Sequence, residues 1–165
     1  MSEQPRFDSV RHGGAEDFPA TRVDRGGFGY AKRVVVAKPG NQLQVAFLEI
    51  PPGRSAYPYH WHEGVTEVYV ILSGRGRVRS AEGEFEVGPG EVVAFPPGPA
   101  GAHRMTNLSA SEPLRYVDLD STADPDVYHY PDSGKTGWAS SSAGREAFFR
   151  DDEAVDYYDG EPDAG

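Results

Sequence analysis

Three histidines and a glutamate are the residues of this chain best suited to chemistry: His60-Trp61-His62, then Glu67, and much later His103. Neutral imidazole nitrogens and one carboxylate oxygen are what a divalent transition metal binds. The chain has no cysteine. Thiolate sites and disulfides are therefore excluded, and His and carboxylate are the strong ligands left. His60 and His62 stand at i and i+2, which on a β-strand turns both rings to one face. Glu67 follows Gly64, far enough on for the chain to turn and return as a neighbouring strand. Two nearby histidines alone would read better as polar strand residues. Glu67 also has a second reading, as a base that swings away from a metal.

Positioning these side chains requires short strands and tight turns. From Tyr30 on, apolar and β-branched runs recur at short intervals. Strands are expected at 31–37, 42–50, 57–62, 66–73, 75–80, 84–87, 91–95, 103–107 and 114–119. Between them stand turn sequences such as Pro51-Pro52-Gly53, Gly88-Pro89-Gly90 and Pro96-Pro97-Gly98-Pro99. Twenty Gly and 14 Pro among 165 residues suit a loop-rich β protein, and the pattern predicts an all-β sandwich or barrel. The polar residues 1–29 read as a loosely ordered N-terminal arm, 30–120 as the barrel and 121–165 as a C-terminal extension. In that extension 130–135 reads as a turn. Residues 145–158 read as one short helix, with Phe148, Phe149 and Val155 as its apolar contacts.

The residues also fall into a longer pattern. Gly53 is followed after six residues by His60, then by His62, by Glu67 after four residues, and by Gly74 after six. Fifteen residues later comes Gly90, then Pro96-Pro97-Gly98, His103 and, after three residues, Asn107. This closely resembles the two signature motifs of the cupin superfamily, over roughly residues 40–120. One departure stands out: four residues separate Gly98 from His103, which lengthens the turn before the last histidine.

The resemblance implies one double-stranded β-helix (jelly-roll) barrel in which His60, His62, Glu67 and His103 hold one divalent transition metal. Fe, Mn, Zn, Ni or Cu would suit such a set. Strand alternation adds an expected pocket wall. If Glu67 faces inward, so do Val65, Tyr69 and Ile71. If His103 does, so do Met105 and Asn107. Glu67 and Tyr69 are then the candidate catalytic groups, Tyr69 as a hydroxyl near the metal. The expected function is a small-molecule metalloenzyme, dioxygenase-like or isomerase-like. The alternative is a non-catalytic, metal-dependent binding or sensing module. Resemblance also implies a homodimer.

Composition narrows the partners. Formal net charge is −10, and the seven acids between Asp151 and Asp163 account for −7 of it. Nucleic-acid binding is not expected of so acidic a chain, because phosphate contacts need a basic face. No apolar run is long enough to span a membrane as a helix, and the N-terminal residues lack the run of a signal peptide, so a cytoplasmic protein is expected. Arg75, Arg77 and Arg79 alternate on one strand face, where acids of the tail or of a second subunit could meet them. His12 and His129 read as surface residues, and Trp61 should point away from the two histidines that flank it.

Overall fold

Strand pairing begins earlier than the polar N-terminal composition suggests. The computed structural model describes residues 9–162. The first eight residues of the expected arm and Asp163 of the acidic tail lie outside the described residues. Strand β1 (Ala20–Arg25) pairs with β2 (Phe28–Val36) in a hairpin closed at Arg25↔Phe28. The two-residue turn is Gly26-Gly27, and Gly26 has φ +59°, a conformation that glycine adopts without a steric cost. Six residues of the expected loose arm, Ala20–Arg25, are therefore an edge strand. Its exposed polar residues are what an edge strand carries.

Eleven further strands follow: β3 (Leu43–Ile50), β4 (Trp61–His62), β5 (Glu67–Ser73), β6 (Gly76–Ser80), β7 (Gly83–Val87), β8 (Val92–Phe95), β9 (His103–Asn107), β10 (Leu114–Ser121), β11 (Asp126–Tyr130), β12 (Lys135–Ser140) and β13 (Arg145–Arg150). One sheet runs β1-β2-β3-β10-β5-β8. The opposing strands form two shorter sheets, β7-β6-β9 and β13-β12-β11-β4. Two isolated antiparallel bridges, Ser55↔Thr106 and His60↔His103, join β9 to the chain leading into β4. The result is the all-β jelly roll expected from the sequence.

Each central strand sorts its inward side chains along its length. On β10, Leu114 and Tyr116 are followed by Asp118 and Asp120, all buried. On β5 the inward residues are Glu67, Tyr69 and Ile71, and on β9 they are His103, Met105 and Asn107. One end of the interior is thus an apolar core with Leu48, Ile50, Ile71, Val78 and Leu114. The other end is polar and holds the histidines.

Three expectations are corrected. The strand expected at 57–62 shortens to Trp61–His62. Pro58 within it has no N–H to give to a ladder. The expected helix at 145–158 is instead β13, followed by a 3-10 turn, Asp151–Glu153. β12 takes up its backbone hydrogen bonds from Lys135↔Arg150 to Ser140↔Arg145. Among the described residues, the arginine face of β6 does not meet the tail acids. Arg75 pairs with Glu86 and Arg77 with Glu84, both on β7, while Arg79 pairs with Asp132 in the turn after β11.

Candidate metal centre

Two strand starts, one strand end and one bridge bring the four sequence-selected residues together. Glu67 opens β5, His103 opens β9, His62 closes β4, and His60 bridges to His103 through its backbone. His60, His62 and Glu67 each offer a ligand atom within 4.8 Å of the others, so this group could hold a metal ion. His62 Nε2 is 3.6 Å, and His103 Nε2 3.3 Å, from Glu67 Oε2. The rings of His60 and His103 lie 4.8 Å apart.

Each histidine is held by its other nitrogen. His60 Nδ1 lies 2.9 Å from the Pro58 carbonyl and His103 Nδ1 2.9 Å from the Gly101 carbonyl. A carbonyl only accepts, so both Nδ1 atoms donate and both Nε2 atoms keep a lone pair. His62 Nδ1 lies 2.9 Å from Asp126 Oδ1 on β11. Burial, and next the neighbouring histidine, lowers His60 to a pKa of about 4 and His103 to about 3. Both rings are neutral in ordinary buffer, as ligands must be. Burial pushes Glu67 up to about 7, against the pull of His62.

The long turn before His103 has a purpose in this geometry. Gly98 (φ +89°) leads into a 3-10 turn, Pro99–Gly101. That turn absorbs the extra residues, and its last carbonyl is the one that orients the His103 ring.

A cavity of about 240 Å³ opens on His60, His62 and Glu67. Its wall differs from the expected one. Val65, Tyr69, Ile71, Met105 and Asn107 are all buried, with Tyr69, Ile71 and Met105 in the apolar core. Asn107 holds the carbonyls of Ile50 and Glu112 with its amide. Tyr69 alone reaches the site. Its hydroxyl donates to His103 Nε2 at 3.0 Å and lies 3.4 Å from Glu67 Oε1. The cavity is lined instead by polar and aromatic groups, including Lys32, Tyr57, Asp118, Asp120, Tyr128 and Tyr130.

These groups form one network. Lys32 Nζ is 3.1 Å from Asp118 Oδ2. Lys38 Nζ is 3.1 Å from Asp126 Oδ2 and 3.9 Å from Asp120 Oδ2, which also accepts from Gln44 Nε2 at 3.0 Å. Asp118 Oδ1 and Asp120 Oδ1 are buried with no hydrogen-bond partner. Burial, and next the Asp118 charge, raises Asp120 to about 9. Asp120 therefore keeps its proton near neutral pH. Burial works to raise Asp126, but the His62 hydrogen bond and the nearby Lys38 leave it below the usual carboxylate range.

His129 lies outside the site, as expected. It stacks on Trp61 at 4.1 Å, bonds Glu63 and Thr136, and is about a quarter exposed at its side chain. Trp61 accordingly points away from its flanking histidines.

The Cupin domain family profile matches residues 46–120. These residues are a cupin domain. Solved structures agree on the fold. A sugar phosphate isomerase of the cupin superfamily from Silicibacter pomeroyi is 18% identical, with a TM-score of 0.71 over 87% of this chain and 95% of its own. A protein from Acidithiobacillus ferrooxidans, provisionally named a sugar phosphate isomerase, is 24% identical, with a TM-score of 0.68 over 78% and 81%. The polyketide cyclase RemF from Streptomyces resistomycificus is 22% identical, with a TM-score of 0.58 over 68% and 80%. No curated protein matches the chain in sequence. The profile match ends before β11, so Asp126, Tyr128 and Tyr130 lie outside it.

Proposed function

We propose that this cupin is a metal-dependent enzyme that moves protons on a small polar molecule, with His60, His62, Glu67 and His103 as the metal ligands. The observation that supports it most is the histidine geometry. Three imidazoles fixed through Nδ1, beside one carboxylate, are a donor set that fits a divalent transition ion. When bound, such an ion would act as a Lewis acid on a substrate oxygen at an open coordination position.

The chain's own groups favour proton transfer over oxygen use. Among the described residues, the cavity wall brings together Lys32, Asp118 and a proton-holding Asp120. A buried carboxyl that keeps its proton near neutral pH is suited to general acid–base work. Lys32 orients Asp118 through an ion pair of 3.1 Å. Tyr57, Tyr128 and Tyr130 narrow the cavity and leave room for a compact substrate. This places the isomerase-like reading ahead of the dioxygenase-like one.

Two measurements test the reading. Elemental analysis of the reconstituted protein should find about one transition ion per chain. NMR in deuterated buffer should then show solvent deuterium entering the carbon next to a carbonyl in small hydroxy-aldehydes and hydroxy-ketones. A protein that retains no transition metal overturns the reading. Metal retention with oxygen consumption and no exchange would return it to the dioxygenase-like form.

A further inference from the structure

The three histidines are not oriented alike. His60 and His103 rely on carbonyls two residues before them, at Pro58 and Gly101. His62 relies on a carboxylate 64 residues away. Asp126 is 5% exposed and fixed at both oxygens, Oδ1 on His62 Nδ1 and Oδ2 on Lys38 Nζ. Strand register delivers it there. β11 pairs with β4 at Tyr128↔His62 and His129↔Trp61, and Glu63 donates to the Val127 carbonyl at 2.8 Å. The diagonal neighbour of His62 on the same face is then Asp126.

We propose that Asp126 is a positioning residue for the metal centre, so that the β11–β13 meander, and not the cupin domain alone, sets how tightly the site holds a divalent ion. The inference rests on the ligand assignment above. A carboxylate behind an imidazole fixes its tautomer and ring angle and makes the opposite nitrogen a stronger donor than a carbonyl does. Lys38 keeps the Asp126 carboxylate from rotating away. The meander thereby acts on His62 from outside residues 46–120.

Competition against a chelator with the full-length protein tests this, using Co(II) and Zn(II), with the Co(II) visible spectrum as a second readout. Asp126→Asn keeps shape and a hydrogen-bond acceptor but removes the charge, and Asp126→Ala removes both. Val127→Ala disturbs the same strand without touching His62. Asp126→Ala should weaken both ions by about 10–100-fold and change the Co(II) bands. Asp126→Asn should weaken them by a smaller factor, and Val127→Ala should match the wild type. A folded Asp126 variant with wild-type affinity overturns the proposal. So does a Val127→Ala loss equal to that of Asp126→Asn, since strand packing would then be the cause. A wild-type protein that binds neither ion overturns the ligand assignment and this proposal with it, whereas the first two results leave the ligand assignment standing.

Discussion

Glu67 and Asp120 keep protons that free carboxyls would lose, at pKa values of about 7 and about 9. That has a sign. Above about pH 6.5 the unfolded chain has both groups ionised, while the metal-free fold holds the Glu67 proton up to about pH 7 and the Asp120 proton up to about pH 9. The folded state then holds more protons than the unfolded one, so stability falls as pH rises. His60 and His103 act oppositely but lower down. Their depressed values make stability rise with pH from about 4 to the unfolded value of about 6.5. Metal-free protein should therefore show a melting temperature that peaks in mild acid and declines toward pH 9. Glu67→Gln should flatten the decline around pH 7, and thermal melts across pH check this. Tyr69 offers a second outcome. Its hydroxyl occupies His103 Nε2, so Tyr69→Phe should leave metal affinity equal or higher in chelator competition. A clear loss would show that the hydroxyl supports the ligand set. The four candidate ligands were legible because their types and the glycine-framed motifs around them can be read directly along the chain. Asp118, Asp120, Asp126 and Lys32 were not, because strand pairing across 64 to 88 residues makes their partnerships.

At the scale of elements, the turn before β9 carries the most geometry for its size. The Pro99–Gly101 turn sets both the start of β9 and the carbonyl that orients His103. A Cβ built on Gly101 would clash with the Pro96 carbonyl oxygen. That contact sets a fixed Cβ against backbone and cannot be relieved by a rotamer. Gly101→Ala should cost about 1–3 kcal/mol or more in urea unfolding and also weaken metal binding. Unchanged stability would mean the turn can shift without cost. The sequence displayed the lengthened turn but not its 3-10 form. It also hid the meander. Phe148 and Phe149 stand side by side, which suits a helix face as well as a strand. Only the partner β12 decides between them, through six paired residues. The strand-forming register of 20–25 was hidden for the same reason, since nearly all its side chains face solvent.

For the whole molecule, the division of the interior into an apolar end and a polar end controls what a metal would do to stability. The polar end holds four acids, Glu67, Asp118, Asp120 and Asp126, against two ammonium groups, Lys32 and Lys38. Without metal, part of that excess is met by protons on Glu67 and Asp120. A divalent ion at the histidines supplies the missing positive charge at the same place, and it binds only the folded chain. An ion at 100 times its Kd should stabilise the fold by about 2.7 kcal/mol. For a chain of this size that is a rise in melting temperature of roughly 5–10 °C. Charge alone would let Mg(II) do the same, whereas imidazole ligation favours Zn(II), Co(II) or Ni(II). Thermal melts with each ion should therefore show the rise for the transition metals and little for Mg(II). The rise should disappear in a His60→Ala/His62→Ala protein, which keeps every acid of the polar end. An equal response to Mg(II), or a response that survives loss of both histidines, would place the ion among the carboxylates rather than at the histidines.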